Sequence, residues 1–306
     1  MSWRTYNEPE CVDEPNPIAL EIAARPRDLG AGLEVARLLP ALQRRMVGPF
    51  IFLDHIGPAQ FDPGQGADVR PHPHIGLATV TYLFDGEFLH RDSLGTEQLI
   101  EPGAVNWMSA GRGIVHSERT PSASRQHAHG LHGLQSWVAL PQAEEDAEPS
   151  FQHQARNALP EIDLHGVTMR LIAGSAFGET SSIKTALPLF YLDVNMPSGS
   201  HFVLPADYAE RALYPMDAPV TIDGVLCQSQ SLAVLNPGDA VEIAAHKATR
   251  LMILGGEPLD GERYIWWNLV SSSKERIEDA KRDWAERRFP KVPGDDEEFI
   301  PLPKYL

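Results

Sequence analysis

Apolar and polar positions alternate with a period of two along most of this chain. Ile18-Ala19-Leu20-Glu21-Ile22 and Leu33-Glu34-Val35-Ala36-Arg37-Leu38-Leu39 have the pattern of half-buried strands, separated by a turn-rich stretch from Pro26 to Gly32. Gly48 to His55 is a further apolar strand. Between Leu77 and Gly113 short strand-like runs recur, with turn signals at Asp85-Gly86, Leu94-Gly95 and Pro102-Gly103. The second half repeats the grammar in Val167 to Gly174, in Leu189 to Val194, and in Val220-Thr221-Ile222 joined through Asp223-Gly224 to Val225-Leu226-Cys227. Its turn at Asn236-Pro237-Gly238-Asp239 resembles Glu101-Pro102-Gly103, which suggests an old duplication. Helical spacing emerges only near the end. There Ser272 and Glu275 form a capping box, and Ile277, Ala280 and Trp284 recur up to Phe289-Pro290. The pattern predicts an all-β chain of two β-barrel or jelly-roll domains with one short C-terminal helix.

Punctuation sets the expected boundaries. Residues 1–16 are polar and broken by prolines, a mobile tail; residues 17–140 form the first domain. The stretch from Pro141 to Pro149 is acidic and nearly free of large apolar side chains, so 141–150 reads as a linker and 151–306 as the second domain, ending in the helix. With 306 residues, 42% of them hydrophobic, the chain can bury two cores of ordinary size. Charge narrows the partners: 26 basic against 42 acidic residues give a net charge of -16, which repels phosphate backbones and anionic lipid heads. Direct nucleic-acid binding and membrane attachment are therefore not expected. Cys11 and Cys227 fall in different halves and imply no disulfide framework, so a reducing compartment fits. The start lacks the apolar core of a signal peptide and no run reaches membrane-spanning length, so the expected location is cytoplasmic.

The chemistry concentrates between Arg70 and Glu118. Side chains two apart on a strand share a face, so His72 and His74 can converge on one point, as can His116 and Glu118. Three imidazoles and a carboxylate suit a divalent first-row metal, and a site open to substrate needs coordination that can expand beyond four, which favours iron over structural zinc. The second half has no His-x-His pair, so one metal per chain is expected. His127-Ala128-His129 is the rival pair, in a loop-like context without strand pattern. His55, His90 and Asp92 either hydrogen-bond the ligands or have ordinary structural roles, and His132 needs no function. Trp107 and Met108 read as core side chains.

The spacing around these ligands resembles the cupin pattern. Gly66 stands six before His72, Gly86 twelve beyond His74, within a turn expected to reverse the chain, and Gly113 three before His116. Two positions depart from it: Thr120 stands where the second motif has Asn, and Ala78 and Thr79 where the first has Glu, which Glu118 replaces. With His72-Pro73-His74-Ile75-Gly76-Leu77, His90-Arg91-Asp92-Ser93 and Trp107-Met108-Ser109-Ala110-Gly111, the first half resembles the pirin family; the second half matches more loosely. Tyr264-Ile265-Trp266-Trp267-Asn268 differs from the run common in pirins. The resemblance implies a bicupin with Fe2+ at His72, His74, His116 and Glu118, and quercetin 2,3-dioxygenase activity, in which dioxygen opens the central ring of a flavonol with release of carbon monoxide. It equally implies the alternative of a metal- or redox-dependent regulator acting on a protein partner. In the enzymatic reading Glu118 is both ligand and general base for the flavonol 3-hydroxyl.

Overall fold

In the computed structural model, residues 16–28 and 33–304 are described; the expected N-terminal tail, with Cys11, lies outside them except for Asn16. The chain is all-β, as its alternation predicts, with two double-sheet domains and, among the described residues, one α-helix, Lys274–Ala285. In the first domain a seven-stranded sheet has Leu77–Asp85 and His129–Ala139 near its centre, and a four-stranded sheet runs in the order Asp68–His74, Ile114–Arg119, Phe88–Asp92, Glu97–Ile100. The second domain pairs an eight-stranded with a four-stranded sheet. No helix among the described residues is long and apolar enough to cross a membrane.

The largest apolar cluster lies between the domains. Ala78, Val80 and Tyr82 from the first large sheet meet Tyr191, Tyr214 and Met252 from the second, so the two large sheets pack back to back. Leu83, on the other face of the same strand, packs with Phe88 and Ile100 inside the first domain. A strand buried on both faces needs side chains that tolerate burial at every position, which explains Leu77, Ala78, Val80, Tyr82 and Leu83, with the small threonines Thr79 and Thr81 as the only polar members of the buried run.

Segments at both ends of the chain cross the expected boundary. Ile18–Ala23 pairs with Ser231–Leu235 in the second domain, while Ser150–Gln154 pairs with Val105–Ser109 in the first. Residues 264–304 return to the first domain, where Trp284 and Val292 bury against Val115. The acidic stretch is pinned, since Glu145 is buried in an ion pair with Arg263 at 2.7 Å and accepts hydrogen bonds from Ser271 and Ser272. Smaller expectations are also corrected. Arg25–Asp28, placed in the turn-rich stretch, is a strand paired with Glu34–Leu39. The helix is capped by Ser273, whose hydroxyl accepts from the Arg276 N–H at 3.3 Å, because Ser272 is engaged by Glu145; it ends at Ala285, short of Phe289. Asp223-Gly224 does close a two-residue hairpin, with both residues at positive φ (45° and 81°). Asp85-Gly86 instead carries the chain from the large sheet to the small one. Gly86 is needed there: its φ is +79° and a Cβ would lie 2.2 Å from the Gly130 carbonyl oxygen.

Candidate metal centre

The small sheet of the first domain gathers the polar side chains. Directly opposed residues of antiparallel strands share a face, and His72 lies opposite His116, His116 opposite Asp92, and Glu118 opposite His90. All five therefore face inward towards Thr81 and Gln135 of the large sheet. Between His116 and Glu118 the pairing with Asp68–His74 shifts, so that Glu118 opposes Val69. The bulge accommodates Arg70 and Pro71. Pro71 and Pro73 each lack an N–H for a ladder, and Asp68–His74 tolerates both because it is an edge strand of its sheet.

His72, His74 and His116 bring their ring nitrogens within 4.8 Å of one another, all three buried. A carbonyl oxygen only accepts hydrogen bonds. His72 Nδ1 at 2.8 Å from the Arg70 carbonyl, and His74 Nδ1 at 3.1 Å from that of Asn268, must therefore carry their protons, leaving Nε2 with its lone pair. His74 Nε2 and His116 Nε2 stand 3.1 Å apart, close to the ~3.0 Å separating two nitrogens bound at right angles ~2.1 Å from one cation. Burial pushes the His72 pKa down to about 4 and holds His74 and His116 well below the usual range, so all three rings are neutral. The donor set fits a divalent cation.

Glu118 belongs to a second group, with His90 and His116, whose ligand atoms are likewise within 4.8 Å. His116 is common to both. Burial pushes the Glu118 carboxyl up, against the pull of His90 and of the Thr81 hydroxyl. Thr81 Oγ1 lies 2.8 Å from both Glu118 Oε1 and the side-chain oxygen position of Gln135. One proton serves one oxygen, so the Gln135 amide with its nitrogen turned to Thr81 completes the arrangement: Gln135 donates to Thr81, and Thr81 to Glu118.

His72, His74 and Glu118 line a cavity of about 1110 Å³, as do Phe52 and Trp137, stacked on each other with ring centroids 3.9 Å apart. Its other wall is the hairpin Tyr264–Trp266 with Leu269–Ser271. Trp267 at its tip has φ +53°, a conformation a bulky residue adopts only when its surroundings hold it, and the turn delivers the Asn268 carbonyl to His74.

Every histidine expected as a ligand is thus in the cluster, and the rival pair is not. His129 Nδ1 donates to the His127 carbonyl at 2.9 Å, and neither residue joins a ligand group among the described residues. His55 bonds to Tyr214 and His132. His90 joins His116 and Glu118 because its period-two relation to Asp92 and its place on the strand beside theirs put it on the same face. Asn268 was beyond reach, since it acts through its backbone from 194 residues away. Asp92 is fully buried; burial opposes its charge, but hydrogen bonds from His90 and from the Thr96 backbone outweigh that and hold its carboxyl below the usual range. Gly66 packs where a Cβ would meet Thr120 at 2.7 Å, and the Thr120 hydroxyl accepts from the Ala67 N–H, so the threonine found in place of Asn starts the ligand strand.

Residues 32–138 match the family model Pirin, and residues 191–290 match Pirin C-terminal cupin domain. A pirin-like protein from Caulobacter vibrioides is 50% identical over 290 residues, 94% of this chain and 100% of its own. The crystal structure of a quercetin 2,3-dioxygenase from Acinetobacter baumannii superposes with a TM-score of 0.86 at 33% identity, covering 93% of this chain and 94% of that one. An Escherichia coli pirin solved with nickel(II) shares the fold, with a TM-score of 0.62 at 20% identity over 78% of this chain and 99% of its own.

Proposed function

The chain belongs to the pirin family, and from that premise we propose that it is a metal-dependent dioxygenase cleaving flavonols such as quercetin. His72, His74 and His116 would hold one divalent cation, Fe2+ in our reading, with Glu118 as the oxygen donor. The observation carrying this reading is that two of the histidines and Glu118 open together into a cavity walled by flat aromatic side chains, suited to a planar polyphenol. The likeness to the quercetin 2,3-dioxygenase of Acinetobacter baumannii supports the same substrate class.

When bound, the cation supplies Lewis acidity and a redox path between an anionic flavonol and dioxygen. The protein's own groups do the rest. Glu118 takes the proton of the 3-hydroxyl, its carboxylate steadied by the Thr81 hydroxyl. Phe52 and Trp137 offer a stacking face, while Ile265 and Trp266 of the hairpin limit the water reaching the reacting ring.

Metal analysis followed by oxygen uptake with a flavonol panel tests the proposal. About one metal per chain is expected, lost in His74→Ala, together with oxygen consumption by the iron form. Glu118→Gln should keep substantial metal and lose about two orders of magnitude in turnover. No oxygen uptake with iron, copper, nickel or manganese on any flavonol would sink the enzymatic reading in favour of the metal-dependent regulator.

A further inference from the structure

His72 and His74 are each oriented by a backbone carbonyl, but His116 is not. Its Nδ1 faces His90 Nδ1 at 3.4 Å, and His90 Nε2 lies 3.1 Å from Asp92 Oδ2. Asp92 Oδ1 in turn accepts the backbone N–H groups of Leu94 at 2.9 Å and Thr96 at 3.1 Å. The His90 ring is held flat against Phe151, with centroids 4.6 Å apart and planes 25° apart. Asp92, His90 and His116 are all buried, so no bulk water substitutes for a missing partner.

Only one proton arrangement satisfies this chain while leaving His116 Nε2 free for a cation. A carboxylate accepts, so His90 carries its proton on Nε2 and presents a lone pair at Nδ1. His116 must then donate from Nδ1, and its Nε2 is bare. We infer that Asp92 and His90 are positioning residues that fix the tautomer and orientation of His116 as a metal ligand. The inference rests on the metal reading above and extends it to two residues that do not line the cavity.

Asp92→Asn is the informative change. With the amide nitrogen towards His90 it reverses the relay: His90 protonates on Nδ1, His116 must accept there, and the remaining proton sits on Nε2, where the cation belongs. With the amide turned over, its nitrogen faces the N–H groups of Leu94 and Thr96. His90→Gln keeps both links, accepting from His116 and donating to Asp92, whereas His90→Leu keeps bulk alone.

Co2+ affinity, measured by chelator competition, and the visible spectrum of the Co2+ form read the outcome, with the melting point of the metal-free protein as the control on folding. Asp92→Asn and His90→Leu should each bind about 10- to 100-fold more weakly with an altered ligand-field spectrum, the usual cost of removing such a partner, while His90→Gln stays within about threefold. If Asp92→Asn does not fold, the two His90 variants decide alone. Equal affinity and spectra in His90→Gln and His90→Leu overturn the relay and leave the metal site standing. A parent that binds no Co2+ overturns the metal reading and the relay together. Two Co2+ per chain, one of them lost in His90→Leu, overturns the relay by showing that His90 is itself a ligand.

Discussion

His55 gives up its proton on folding, which an exposed histidine does not. Burial lowers its pKa from 6.5 to about 4, assisted by neighbouring His132 and opposed by Asp217. Between those values the unfolded chain takes up a proton that the folded chain refuses, so stability is intact above pH 6.5 and falls as the pH drops towards 4. From pH 7.5 to pH 5.0 this one residue should cost about 2 kcal/mol. His55→Gln preserves the hydrogen-bonding shape without titrating, so its urea-unfolding free energy should fall by about 2 kcal/mol less than the parent's over that range; parallel pH profiles would refute the assignment. At this scale the metal ligands were legible because a His-x-His pair on a strand is rare and strand geometry alone converges it. His55, His90 and Asp92 were not, because a single imidazole takes its role from partners on other strands. For His55 the partner is Tyr214, 159 residues away.

An edge strand carrying two prolines would present an incomplete ladder to solvent, and here the C-terminal tail covers it. The Ile300 N–H donates to the Pro71 carbonyl at 2.8 Å, and the Val270 N–H to that of Ile75 at 3.2 Å. The tail is fastened by Asp295, which accepts two hydrogen bonds from Arg119, at 2.6 and 2.7 Å, and one from Ser117 at 2.7 Å. Arg119 is the residue after Glu118, so the clamp acts on the strand that carries two of the proposed ligands. A hydrogen bond to a charged group contributes about 1.5–3 kcal/mol, so Asp295→Ala should lower the opening free energy of the tail by about 2 kcal/mol. Hydrogen exchange at the Ile300 amide should then quicken roughly thirtyfold, while Leu192 in the second core is unchanged. An unaltered Ile300 rate would mean that the clamp does not hold the tail. The strands themselves were readable from alternation and turn residues. The bulge at Pro71, the crossing at Asp85-Gly86 and the cap at Ser273 were not, because each is decided by a neighbour distant in sequence: the tail, the second sheet and Glu145.

At the scale of the whole chain, composition foretold two cores but not the third between them, which is the largest. A strand buried on both faces looks the same in sequence whichever partner covers it, and terminal segments give no local sign of crossing over. The net charge of -16 still predicts no salt-sensitive affinity for duplex DNA, which a gel shift with the purified chain would test. The shared core makes a stronger prediction. Ile18–Ala23 completes the second domain's sheet, the hairpin and tail complete the first domain's cavity, and Tyr82 donates to Asp193 across the seam at 2.8 Å. Neither domain is whole without the other's end of the chain, so the two should unfold together. The six tryptophans allow a direct measurement, because none lies between Trp137 and Trp266. In a Trp3→Phe variant, which removes the one tryptophan outside the described residues, fluorescence therefore reports the first domain and the C-terminal tail, while far-UV circular dichroism reports strands of both. The two denaturation curves should coincide. A divalent cation at about 100 times its Kd should move both by the same increment, about 2.7 kcal/mol, although every proposed ligand lies in the first domain. Two separated transitions, with the metal shifting only the fluorescence-detected one, would show that the back-to-back core joins the domains without coupling them.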